Sequence, residues 1–242
     1  MSQFLRDEKP NQERFKSSSK IFSPLAKIEG EYKGHFYSYC LPKECAEENL
    51  FPGIRNSVLP YFQRNQIKWH DGQGGKPSNH LCDLQVCCVN FLFPFANQPQ
   101  ALAALLKPFF PEIKQMLPVE DELYVGHEWI GKRDYLGEKK FENQVRTRGA
   151  NFTSADAIIR FERNDGSSQV VMIEWKYTEA YYPTSLAVGK SGETRLRTYE
   201  KLYQLEDFPL DKEKVGSFTN LFYEPFYQLI RQQLLANEME KA

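Results

Sequence analysis

Thr153-Ser154-Ala155-Asp156-Ala157-Ile158-Ile159-Arg160-Phe161, then Asn164-Asp165-Gly166-Ser167, then Val170-Val171-Met172-Ile173-Glu174-Trp175-Lys176-Tyr177 reads as a β-hairpin. Two arms rich in β-branched and aromatic residues flank a turn of Asn, Asp, Gly and Ser. The second arm is apolar on both faces until Glu174 and Lys176 interrupt it. Alternate residues of a strand share a face, so these two charges lie on one side. Asp156 opens the first arm and can fold back beside them. Ionic groups at the end of an otherwise buried strand cost free energy. That cost marks a site, and the residue types fit a divalent cation beside an amine.

Magnesium takes oxygen ligands and uses one or two carboxylates, with waters and substrate oxygens completing its shell. Asp156 and Glu174 supply the carboxylates, and the backbone carbonyl of Trp175 is a third candidate oxygen. Manganese would substitute. Lys176 can orient a water or stabilise developing negative charge. Next to two carboxylates it stays protonated unless a metal offsets them.

The chain has 242 residues, 41% of them hydrophobic and 14% aromatic. That suffices for a packed core and argues against disorder. The formal net charge of -1 gives no global pull toward nucleic acid, so any such binding rests on local patches. Cys40, Cys45, Cys82, Cys87 and Cys88 lack paired spacing and read as reduced thiols of a cytoplasmic protein. His35 with Cys40 and Cys45 does not complete a zinc set. No apolar core follows a basic start, so no signal peptide is expected. The most apolar stretch, 86–96, is about half a membrane span and holds Asn90 and Pro94, so no membrane partner is expected.

Working outward, residues 1–30 read as a loose polar arm or a poorly packed extension. Residues 46–65 carry Leu50, Ile54, Val58, Leu59 and Phe62 at helical spacing, with Pro60 among them. The glycine-rich segment 71–75 lacks the Lys and Ser/Thr of a phosphate loop and reads as a turn. Residues 81–95 read as an apolar helix in which Gln85 and Asn90 stand out, as core amides or as polar contacts near the site. Residues 98–117 read as a further helix broken near Pro108 and Pro111, and 123–130 as a strand. Residues 131–149 carry Lys132, Arg133, Lys139, Lys140, Arg146 and Arg148. They read as a solvated loop or as phosphate-contacting cations. Residues 195–205 and 220–241 read as helices. No paired-histidine motif, no GxSxG elbow and no internal repeat is present.

Asp156, then Glu174 eighteen positions on, one residue, then Lys176 resembles the core motif of the PD-(D/E)XK phosphodiesterase superfamily. Ala155 stands where that motif often has proline. The segments 85–91, 149–156 and 227–231 are similar to a family of predicted restriction endonucleases within it, over residues 81–236. The resemblance implies an α/β fold: a restriction-endonuclease-like mixed sheet flanked by helices, after a helical N-terminal extension. It implies a polar arm over 1–30, a helical part over 31–118 holding the first core helix, and a nuclease-like core over 119–242. Carried over, Asp156 and Glu174 become magnesium ligands, Lys176 the catalytic lysine, and 123–130 the first core strand, with Glu128 as an additional acid. Gln228 and Arg231 fall on the helix that in such enzymes can face the site. The superfamily's last strand, after that helix, is not expected here, which would leave a sheet edge bare. The implied activity is metal-dependent cleavage of DNA, by a homodimer if both strands are cut. A non-catalytic nucleic-acid or protein-binding module on the same fold is the alternative.

Overall fold

The computed structural model describes residues 3–242 as a mixed α/β protein. In chain order the elements are α1 (Gln3–Ser18), β1 (Gly30–Tyr32), β2 (His35–Tyr37), α2 (Arg55–Arg64), α3 (Leu84–Leu92), α4 (Pro99–Leu106), β3 (Ile113–Leu117), β4 (Val125–Trp129), β5 (Ala155–Arg163), β6 (Ser168–Ile173), α5 (Gly189–Gln204), α6 (Lys212–Val215) and α7 (Phe226–Glu240). They fall into two compact units. The first gathers the chain to Trp129 with Thr147–Ala150 and Asp156–Ala180; the second holds Ile130–Arg146, Asn151–Ala155 and Tyr181–Ala242.

The first unit is organised by β5. Six residue pairs, from Ala157 opposite Ile173 to Glu162 opposite Ser168, join it antiparallel to β6. The turn between them closes on itself: Gly166 adopts φ +86°, and Asp165 accepts from the Ser167 amide at 2.9 Å. On its other edge β5 pairs antiparallel with β3 through residues 160–163 and also pairs with β4. β1 and β2 form a separate two-stranded hairpin. Ala157, Ile159 and Phe161 alternate along β5 into one apolar core. That core also contains Val58, Tyr61 and Phe62 of α2, Val86, Val89 and Leu92 of α3, and Leu102 of α4.

Several elements depart from the expectations. Residues 98–117 are not one broken helix: α4 ends at Leu106, and 113–117 is strand β3. Pro108 and Pro111 end the helical run, and pairing with β5 recruits the rest, with Ile113 and Met116 buried. Within the N-terminal segment, of which Met1 and Ser2 lie outside the described residues, Gln3–Ser18 is helical and mostly exposed. α1 sends Lys16 inward, where it is 2% exposed and donates to the carbonyls of Ile28 and Cys40 at 2.9 and 2.8 Å. α2 accommodates Pro60. The apolar helix at 81–95 is α3, started by Asp83 accepting from the Val86 amide and followed by a 3-10 turn over Phe93–Phe95.

In the second unit α5 begins at Gly189, well before the expected 195. The C-terminal helix is divided into a 3-10 turn at Phe218–Leu221 and α7. No strand follows α7 among the described residues. No helix among them is long and apolar enough to cross a membrane.

Candidate active site

β6 ends at Ile173, so Glu174, Trp175 and Lys176 follow the strand rather than belonging to it. The hairpin register, continued one residue past its last pair, sets Asp156 opposite Glu174. Directly opposed residues have Cβ atoms about 4.5–5.5 Å apart. The Trp175 amide donates to Asp156 Oδ2 at 2.6 Å, which ties the aspartate to the backbone that carries Glu174. Lys176 Nζ donates to Glu174 Oε1 at 2.5 Å, as alternate residues on one side can. Asp156, Glu174 and Lys176 therefore converge at the open end of the hairpin. Trp175 contributes its amide, and its ring packs on Phe91 with centroids 5.1 Å apart.

The electrostatics follow from burial and like charge. The Asp156 carboxyl is pushed up to about 7, first by desolvation, then by the charges of Glu174 and Glu128; the Trp175 amide and Lys176 oppose the shift. A carboxylate so placed is poised to gain from a cation that offsets its neighbours. Among the described residues no group of three or more His, Cys, Asp or Glu side chains is arranged to hold a metal ion. A magnesium site on two carboxylates does not require one, because waters and substrate oxygens complete the shell. The donor set at the hairpin end, the carboxylates of Asp156 and Glu174, is hard and oxygen-based, and its chemistry fits such an ion.

Glu128 and Gln85 form the supporting layer. Glu128 is 2% exposed, with φ +47°. Its Oε1 accepts from Gln85 Nε2 at 2.7 Å and lies 3.4 Å from His70 Nε2. Gln85 also donates to the Lys68 carbonyl at 3.0 Å and accepts from the His70 amide at 2.8 Å. It is a satisfied core amide whose contact on the site's side is Glu128. Asn90 has no such link: it accepts from the Phe51 amide and donates to the Asn49 carbonyl.

Arg148 is a feature that the sequence did not single out from its basic segment. It grips Glu120 bidentately, with both nitrogens 2.8 Å from the carboxylate. It also donates to the Glu128 carbonyl at 3.1 Å, to the His127 carbonyl and to the Tyr61 hydroxyl. It thus pins the β4 backbone that presents Glu128, and is not a free phosphate contact. His70, 3.4 Å from Glu128 through its Nε2, is likewise a partner that the sequence does not mark. No local pattern could have flagged either residue, since both partnerships span distant parts of the chain.

Gln228 and Arg231 lie on α7 in the second unit. Arg231 Nε donates to Thr153 Oγ1 at 2.9 Å and to the Tyr199 hydroxyl at 3.1 Å, and its Nη2 reaches Glu138 Oε1 at 3.4 Å. Arg146 holds the carbonyls of Gly131 and Ile130, while Lys132, Arg133, Lys139 and Lys140 remain exposed.

A family model described as restriction endonuclease associating with ARP matches residues 10–242. No curated protein and no solved structure matches the chain.

Proposed function

The chain belongs to this restriction-endonuclease family, and from that premise we propose that it is a metal-dependent nuclease cleaving DNA phosphodiester bonds at the open end of the β5–β6 hairpin. The observation that carries the reading is the register that opposes Asp156 to Glu174, with Lys176 bonded to Glu174. Its further content is that β4, β5 and β6 with α3 correspond to the core of PD-(D/E)XK enzymes. Asp156 and Glu174 would hold the magnesium or manganese ion, with the Trp175 carbonyl as an added oxygen. When bound, the ion neutralises charge on the scissile phosphate and lowers the pKa of a coordinated water.

The chain's own groups supply the rest. The Trp175 amide fixes the orientation of Asp156. Lys176 brings a positive charge to the side where negative charge develops on the phosphate, and its ammonium can orient the attacking water. Glu128, aimed by Gln85 and by the Arg148-pinned backbone, raises the negative field that draws in a cation.

The test uses the full chain with magnesium or manganese on plasmid and oligonucleotide DNA. Asp156→Ala, Glu174→Ala and Lys176→Ala are each expected to lower cleavage by about 100-fold or more while the thermal unfolding transition persists. Cleavage that survives Asp156→Ala would refute the reading. A second reading, a binding module without catalysis, is favoured by the short Lys176–Glu174 pair, which can satisfy Glu174 without a metal. Calorimetry with magnesium separates the two: a catalytic site binds the ion and loses it in Asp156→Ala, and a binding module does neither.

A further inference from the structure

The second unit contains a cavity of about 710 Å³ that the hairpin chemistry does not use. One wall is a face of α5. Lys190, Thr194 and Thr198 recur every four residues along it, with Arg195 beside them. The opposite wall is α7, through Tyr227 and Arg231. Both guanidiniums lie over the Tyr227 ring, at 5.8 Å for Arg195 and 5.3 Å for Arg231. Lys140 completes the rim from the loop before β5.

Four cations thus meet two carboxylates, Glu138 and Glu224, around this space. Glu138 is already engaged by Arg231, Tyr199 and Thr153. Among the described residues neither Lys140 Nζ nor Lys190 Nζ has a hydrogen-bond or ion-pair partner. The first turn of α5 adds to the field. Its N-cap residue Val188 offers no capping side chain and the turn holds no acid, so the positive end of the helix dipole is uncompensated there. Converging like charges raise the energy of the empty cavity, and a multiply charged anion offsets that cost. The size suits a nucleotide unit rather than a small inorganic ion alone.

We propose that this cavity binds phosphate groups of nucleotide chemistry, presented by a polynucleotide backbone or by a free nucleotide. In its polynucleotide form the proposal rests on the nuclease reading, so binding is measured in EDTA, where no cleavage is required. The probes are a fluorescein-labelled single-stranded 20-mer DNA and ATP, titrated into the full chain at low salt. The variant is Lys140→Glu/Lys190→Glu, whose positions are exposed and whose fold is checked by circular dichroism. The control is Lys107→Glu, an exposed lysine of the first unit.

The expected result is tight binding of at least one probe, weakened by about tenfold or more in the double variant and unchanged in the control. For DNA, the dependence of affinity on salt should also lose up to about two counterions. Loss of DNA binding alone identifies a backbone phosphate, and loss of ATP binding identifies a free nucleotide. Wild-type protein that binds neither probe, a double variant that binds like wild type, or a control that weakens equally would overturn the proposal. Cleavage lost in Asp156→Ala while binding persists would leave the cavity assignment standing.

Discussion

His127 offers a prediction whose size can be worked from the structure. It is 1% exposed, and its ring lies between 5.9 and 6.4 Å, centroid to centroid, from those of Tyr61, Phe62 and Phe93. Neither ring nitrogen meets a partner at hydrogen-bond geometry among the described residues. Burial pushes the imidazole down to about 3, from 6.5, while the Asp156 backbone beside the ring favours the protonated form and the Arg148 charge opposes it. Replacing it by phenylalanine keeps a flat ring and removes both unsatisfied nitrogens, which stabilises by about 1–3 kcal/mol near neutrality.

The pH dependence follows from the same burial. The folded pKa lies below the unfolded one, so stability is complete above about 6.5 and declines as pH falls toward 3, where the unfolded chain takes up the proton first. Each unit of pH in that window costs wild type about 1.4 kcal/mol, or about 2 kcal/mol by pH 5. His127→Phe lacks this loss. The gap between variant and wild type should therefore widen by about 2 kcal/mol from pH 7.5 to pH 5. Urea unfolding followed by tryptophan fluorescence measures it, because Trp69, Trp129 and Trp175 all lie in the first unit. A gap that stays constant or narrows as pH falls would show that the imidazole is not held neutral in an apolar box.

Three other outcomes are expected. Arg148→Met should cost about 3–5 kcal/mol, because it leaves the half-buried Glu120 carboxylate with the Tyr61 hydroxyl alone and strands the carbonyls of His127 and Glu128; Arg148→Met/Glu120→Leu should recover only the part due to the uncompensated charge, read in the same urea assay. Lys16→Met keeps the aliphatic stem but strands the carbonyls of Ile28 and Cys40, at about 1–3 kcal/mol, read as a lower melting temperature. Iodoacetamide under native conditions should modify Cys87 before the other cysteines, as peptide mass spectrometry would resolve. Cys87 is half-buried, with its thiol raised by burial, whereas the other four are buried: Cys45 is raised by burial, Cys40 and Cys82 are pushed up to about 12 and Cys88 is pushed higher still.

The hairpin was legible in the sequence because its information is local. Strand alternation and the Asn-Asp-Gly-Ser turn set its two arms and their register. That register alone brings Asp156 to Glu174 across a short span of chain. α3 was legible for the same reason: a short, mostly apolar run whose polar members are Gln85 and Asn90; the Asp83 cap that starts it is visible only in the structure. What the sequence could not give was decided by partners far away in the chain. Ile113–Leu117 became a strand because β5 offered it an edge, and α1 is tethered by Lys16, which donates to carbonyls at Ile28 and Cys40. Glu128 gained its orientation from Gln85, forty-three positions earlier, and from Arg148, twenty positions later. The cavity between α5 and α7 is visible as a charge cluster only once two helices stand side by side. Local periodicity fixes which way neighbouring side chains point; only the folded chain decides which buried charges meet, since that depends on contacts no short window of sequence contains.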